Sequence, residues 1–146
     1  MSQHSILYLQ GPNLQALGHR QPEIYGYKTY TDLEKQLHLF AEKHHIIDLH
    51  FQSNSEAELI GRLYQQDFDA VVCNPAALTH SSIALRDAFL TIQKPFVEVH
   101  ISNIYQRESF RQRSYFADIA IGSIVGLGFQ GYELASLALL KHLTKK

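Results

Sequence analysis

Apolar residues along this chain follow two spacings, and the two alternate. Ser5 to Leu9 reads as a short buried strand ended by Gly11-Pro12. Thr31-Asp32-Leu33-Glu34 has the form of a capping box, with Thr31 as N-cap, and Leu33, Leu37 and Phe40 then recur at helical spacing. Ile47, Leu49 and Phe51 alternate with Asp48 and His50, the pattern of an edge-like strand. Ser55-Glu56-Ala57-Glu58 has the form of a second capping box, and its helix carries Leu59, Ile60 and Leu63 on one face. Ala70 to Cys73 is apolar throughout, as a strand covered on both faces requires. A helix is expected over roughly Ser81 to Thr91, a fourth strand at Phe96 to His100 and a fifth at Ile119 to Val125. A final amphipathic helix is expected from about Tyr132 to Leu143.

Five strands separated by helices imply a parallel sheet covered on both sides. At this length the expected architecture is a single α/β domain over residues 1–146, a flavodoxin-like three-layer sandwich with strand order 2-1-3-4-5. No linker, repeat or low-complexity tract interrupts it. The interval from Gly11 to Gly26 stands apart as a long loop rich in turn residues, and a loop of that length in a compact domain is usually functional.

Composition narrows the reading. Charged residues are 18% against 45% hydrophobic, so a packed core is affordable and disorder is not expected. With 13 basic and 14 acidic residues there is no broad positive field, which argues against general nucleic-acid binding. The single cysteine, Cys73, excludes an intrachain disulfide and sits in an apolar run, as a buried small side chain would. No stretch approaches the ~18 apolar residues of a membrane span. Met1-Ser2-Gln3-His4 carries no basic region ahead of the first apolar run, so a secretory leader is not expected and a cytoplasmic protein is.

In open parallel sheets ligands bind beyond the carboxyl ends of the strands. Gly11-Pro12-Asn13 follows the first strand and Gln52-Ser53-Asn54 ends the second. Asn74-Pro75-Ala76-Ala77 with Thr79-His80-Ser81 follows the third, and His100-Ile101-Ser102-Asn103 the fourth. Asn13, Asn74, His80, His100, Ser102 and Asn103 are thereby delivered to one edge, a set suited to a small polyhydroxylated or carbonyl ligand. Arg20 in the long loop, and Arg107, Arg111 and Arg113 after the fourth strand, reach the same edge, and guanidinium forks suit a carboxylate. The loop around Arg20 also carries Tyr25 and has the form of a lid, with Gly18 and Gly26 as hinges. Each residue alone has a plainer reading. Asn13 is a turn former, His80 a cap, His100 a satisfied core histidine, and the arginines a solvated face. Their common placement favours a site.

Three blocks of the chain resemble the type II 3-dehydroquinate dehydratase family. They are Gly11-Pro12-Asn13-Leu14 with Leu17-Gly18-His19-Arg20 and Tyr25-Gly26; Asn74 to Ser82 with Ala84-Leu85-Arg86-Asp87-Ala88; and Glu98 to Asn103 with Arg107-Glu108 and Phe110-Arg111. Gln52-Ser53-Asn54 and Gly126-Leu127-Gly128 with Gly131-Tyr132 also fit, so the resemblance covers nearly the whole chain. Gln15 and Ala16 stand where the family usually has Asn and Leu, Gln10 and His19 are uncommon choices, and Tyr105 replaces a frequent His. These departures touch lid packing and affinity.

The resemblance implies loss of water from 3-dehydroquinate through an enolate, in the shikimate pathway, with no cofactor, no metal and no Schiff base. It gives Tyr25 the role of base, with Arg20 supplying the positive charge that a tyrosinate needs. Asn13 holds a water against the enolate oxygen. His100 is the general acid. Asn74, His80, Ser102, the backbone of Ile101 and Arg111 contact substrate. Asp87 reaches the site of a neighbouring subunit in a homododecamer built from trimers. Spacing alone adds Glu98, which shares a strand face with His100 and would orient the imidazole and hold it protonated. By position alone Asp87 is an exposed helix residue paired with Arg86 or a lysine.

Three other readings compete. A flavodoxin-like module that binds a small ligand without catalysis would want a phosphate cradle, and Pro12 removes a backbone donor from the first loop. Gly126 to Gly131 does spell G-x-G-x-x-G, but at the last strand, without the rest of a dinucleotide unit. A metal hydrolase using His80, His100 and Asp87 lacks a ligand spacing of known form. A Schiff-base lyase would need a lysine at a strand end. Lys28 lies past the lid residues, and the others fall in helix patterns, beside Pro95 or at the C-terminus.

Overall fold

The computed structural model describes residues 3–145, and for Tyr25 the backbone alone. Five parallel strands form one sheet in the order β2-β1-β3-β4-β5: β1 His4–Gln10, β2 Ile46–Gln52, β3 Ala70–Asn74, β4 Phe96–His100 and β5 Gly122–Val125. The helices between them are α1 Pro22–Tyr25, α2 Tyr30–Lys43, α3 Glu56–Tyr64, α4 Ile83–Ile92 and α5 Gln130–Thr144. This is the expected α/β domain and the expected strand order.

The three layers follow from the alternation of side chains along β1. Ile6 and Tyr8 pack with Leu33, Leu37 and Ala41 of α2 and with Tyr132, Ala135 and Leu139 of α5. Leu7 and Leu9 face the other way, onto Leu59 and Leu63 of α3 and Leu85, Ala88 and Phe89 of α4. β3 is buried along its whole length, Cys73 included, which is why it carries no alternation. β2 is one of the two edge strands; Leu49 and Phe51 lean on the α3–α4 side while Ile47 remains exposed.

The register brings the strand ends level. Gln10 lies beside Gln52 on one side and Asn74 on the other. Just past them the Gly11 amide donates to the Asn74 carbonyl at 2.8 Å, and the Ser53 amide to the Gln10 carbonyl at 3.1 Å. A Cβ on Gly11 would stand 2.3 Å from the Pro75 carbonyl oxygen, so only glycine lets the two loops approach this closely.

Several local expectations are corrected. The N-cap of α2 is Thr29, not Thr31: its hydroxyl accepts from the Asp32 amide at 3.1 Å and the Asp32 carboxylate accepts from the Thr29 amide at 2.9 Å. The same motif thus closes two residues early, with Asp in the place expected of Glu34. Ser55 caps α3 through the Glu58 amide, but the box stays half-made, because the Glu58 carboxylate takes the Ser53 hydroxyl instead. Ser82 caps α4, which begins at Ile83, slightly later than the expected start near Ser81. β5 begins at Gly122, since the Ile119 and Ala120 amides turn back to the Phe116 carbonyl and cannot join a ladder. The first loop is not structureless. It contains a 3-10 turn at Leu14–Ala16 and the short helix α1, and Leu14 and Leu17 are buried in the core. The remainder, around Arg20 and α1, is the segment expected to act as a lid.

Candidate active site

The loops at the carboxyl ends of β1, β3 and β4 enclose a cleft that opens to solvent. Asn13, Arg20, Asn74, His80, His100, Ile101, Ser102, Arg107 and Arg111 all line it. Pro12, Leu14, Leu17, Ala76 and Ile104 add apolar wall. Outward it widens into a groove between the lid, from Arg20 to Gly26, and an arm that carries Asn103, Arg107, Glu108 and Arg111.

The floor is rigid. The Asn74 side chain accepts from the Ala76 amide at 3.0 Å and donates to the Tyr132 hydroxyl at 2.8 Å. That hydroxyl donates in turn to Gln10 Oε1 at 2.7 Å. One amide hydrogen of Asn74 is left for the cleft. Asn13 and Ala76 both sit in the left-handed region, with φ of 72° and 54°, and such backbone persists where surrounding contacts hold it. The Asn13 amide donates to Asn54 Oδ1 at 2.9 Å, which ties the end of β1 to the end of β2.

The wall on β4 carries the charge. His100 Nε2 lies 2.7 Å from Glu98 Oε2, and both side chains are buried. A carboxylate only accepts, so Nε2 is the protonated nitrogen and Nδ1 is the one left toward the cleft. Burial opposes ionisation of Glu98 most strongly. Hydrogen bonding and charge from His100, with hydroxyl donors from Ser114 and Thr79, outweigh it and hold the carboxyl below its usual range. His80 stacks on His100 with ring centroids 6.4 Å apart, and its Nδ1 donates to the Arg113 carbonyl at 2.7 Å. Burial lowers its pKa first, and the neighbouring His100 and Arg111 charges add to this, so its Nε2 is an acceptor near neutrality.

Arg113 and Asn103 are placed otherwise than expected. Arg113 does not face the cleft; its guanidinium lies 4.9 Å from the Tyr115 ring on the exposed side. Asn103 lies on the outer groove, where its side chain accepts from the Tyr105 amide at 3.1 Å. Asp87 is exposed on α4 and is not among the residues that line this cleft, and Arg86 pairs with Asp118 instead of with it. The side chain of Tyr25, at the end of α1, lies outside the described residues. Sequence reasoning missed Thr79, Ser114 and Tyr132. Thr79 and Tyr132 stand inside the segments that carry the family resemblance, where a polar residue amid apolar positions was the available signal. Ser114 gave none.

A doubly wound α/β sheet with a polar, arginine-rimmed cleft at its switch point is a small-molecule enzyme by class. The class II dehydroquinase family model matches residues 4–140, and the chain belongs to that family. It is 52% identical over 143 residues to a 3-dehydroquinate dehydratase of Marinobacter nauticus, covering 95% of this chain and 97% of that one. It is 48% identical over 149 residues to one of Haemophilus influenzae, covering all of both. The crystal structure of a type II dehydroquinase from Propionibacterium acnes superposes with a TM-score of 0.91 at 43% identity, over 97% of this chain and 98% of that one.

Proposed function

We infer that this chain is a hydro-lyase of the shikimate pathway that converts 3-dehydroquinate to 3-dehydroshikimate in the cleft described. The observation that carries the assignment of residues is the buried Glu98–His100 pair opening onto a cleft rimmed by Arg20, Arg107 and Arg111. Arg111 receives the substrate carboxylate, and its Nε is held by Glu108 at 2.9 Å. Asn74, His80, Ser102 and the backbone of Ile101 receive the hydroxyls and the rest of the carboxylate. Tyr25, the base by kinship with the family, takes a proton from the carbon next to the ketone, with Arg20 supplying the positive charge its tyrosinate form needs, and the electron pair moves into the enolate. Asn13 steadies a water against the enolate oxygen. The enolate then re-forms the ketone as the C–O bond breaks, and His100, entering the step with a proton on Nδ1 as well as the one its Nε2 gives to Glu98, passes the Nδ1 proton to the departing hydroxyl, which leaves as water. Atoms and charge balance without a cofactor.

The reading extends to a homo-oligomer, a dodecamer of trimers, in which Asp87 enters a neighbouring cleft. It extends also to a cytoplasmic location. Both extensions rest on kinship with the family. Among the described residues no helix is long and apolar enough to cross a membrane. The test is Tyr25→Phe and His100→Ala, each checked for fold by circular dichroism. Both should lose most turnover, and His100→Ala should also bind substrate less well. Turnover of Tyr25→Phe equal to wild type would overturn the assignment of the base.

A further inference from the structure

The Glu98 carboxylate collects more donors than an imidazole partner alone requires. Ser114 Oγ lies 2.9 Å from Oε1 and 3.0 Å from Oε2. Thr79 Oγ1 lies 3.0 Å from Oε2 and Ser123 Oγ 3.3 Å from Oε1. The Ser114 oxygen itself accepts from the Phe116 amide at 3.0 Å and the Ala117 amide at 3.1 Å. Both its lone pairs are used, so its one hydrogen has nowhere to point but Glu98. Thr79 is committed in the same way. The His100 Nε2 only 3.3 Å from it already carries a proton, so the threonine hydrogen also goes to the carboxylate.

We propose that Ser114 is a positioning residue for the proton donor: its hydroxyl locks the Glu98 carboxylate, the carboxylate locks His100 with Nδ1 toward the cleft, and the arginine-bearing arm is fastened to that pair. This rests on His100 being the acid, as assigned above. The fastening has two further points. The Tyr115 amide donates to the Thr79 carbonyl at 2.9 Å, and His80 donates to the Arg113 carbonyl. The arm that presents Arg107 and Arg111 therefore ends on the turn and the carboxylate that set the acid. A proton arriving on Glu98 would meet only donors and would have to displace one of them. Among the described residues, the titratable and charged groups around the pair are Cys73 beside Glu98 on β3, His80 on the turn after β3, and, lining the same cleft as His100, Arg20, Arg107 and Arg111. β5 contributes the neutral Ser123.

The test compares Ser114→Ala and Ser114→Thr with wild type, measuring kcat and KM for 3-dehydroquinate against pH on the intact protein. A hydrogen bond to a charged group contributes enough that its loss should lower kcat about tenfold. It should also move the acid limb of the kcat profile up by roughly one pH unit. Ser114→Thr keeps the hydroxyl and should restore both. Should Ser114→Ala fail to fold, Ser114→Cys keeps the size and weakens the donor, and should show the same limb shift in smaller measure. Unchanged limbs, whether or not kcat falls, would mean that Ser114 only caps its own turn, and would overturn the proposal. His100→Ala, assayed alongside, separates two failures. If it turns over like wild type, the assignment of the acid is wrong. If it is inactive while Ser114→Ala titrates like wild type, only the role of Ser114 is wrong.

Discussion

Glu98→Gln changes one atom of the site and removes its negative charge. Glu98 is 1% exposed, and its two oxygens receive His100, Thr79, Ser114 and Ser123. A glutamine has the same shape, but one end becomes an NH2 group that must face donors. If it turns toward His100, the Nε2 proton loses its acceptor. If it turns toward Ser114, that hydroxyl loses its acceptor while its own lone pairs remain occupied. A hydrogen bond to a charged group contributes about 1.5–3 kcal/mol. If His100 is set by this bond in the transition state, kcat/KM should fall roughly 10- to 150-fold. The assay is steady-state turnover of 3-dehydroquinate across pH, with thermal unfolding on the same samples. Wild-type kcat/KM in a folded Glu98→Gln protein would refute the reasoning, since the carboxylate would then have no bearing on His100.

Further outcomes follow from the same geometry. Tyr132→Phe cuts the buried chain from Gln10 to Asn74 and leaves two polar groups without a partner. It should cost ~1–3 kcal/mol, read as a fall in melting temperature by chemical or thermal denaturation, and should raise KM as Asn74 loosens. Gly11→Ala forces a methyl group against the Pro75 carbonyl and should destabilise by ~1–3 kcal/mol or more in urea titrations. Stability should also fall in acid. Glu98, Asp67 beside Arg62 and Asp118 beside Arg86 have carboxyls held below their ordinary values. Their contribution is complete above the ordinary values of 4.5 for Glu and 3.8 for Asp and is lost as pH drops through the lowered ones. His80, with its pKa lowered, works in the same direction earlier, because the unfolded chain takes up its proton first below the ordinary 6.5. Melting temperature followed from pH 7 downward should show a shallow decline and then a steep one.

Much of this architecture was legible because it is local. The apolar run at Ala70 to Cys73, the alternation in β2 and the spacing of Leu33 and Leu37 each reflect a side chain meeting its own layer, and the strand order followed from length and alternation. Element ends were less legible. Thr29 and Thr31 offer equivalent hydroxyls, and the choice depends on which one Asp32 can answer. The clustering of Asn74, His80, His100 and Ser102 could be read because the sheet forces strand ends to one edge. Ser114 could not. It reaches Glu98 across 16 residues of arm, through a turn with no periodic signal. Arg113 faced outward for the related reason that the arm turns between Arg111 and Tyr115. Asp87 falls outside both cases, since it is exposed on α4 and away from the lining of this cleft.

The central claim is dehydration of 3-dehydroquinate without metal or imine, and ultraviolet absorbance tests it most directly. The product carries a conjugated enone-carboxylate that the substrate lacks. Purified protein should give a rise on adding 3-dehydroquinate, unchanged by chelator and unchanged after treatment with borohydride in the presence of substrate. No rise from folded protein, or a rise abolished by either treatment, would contradict the account.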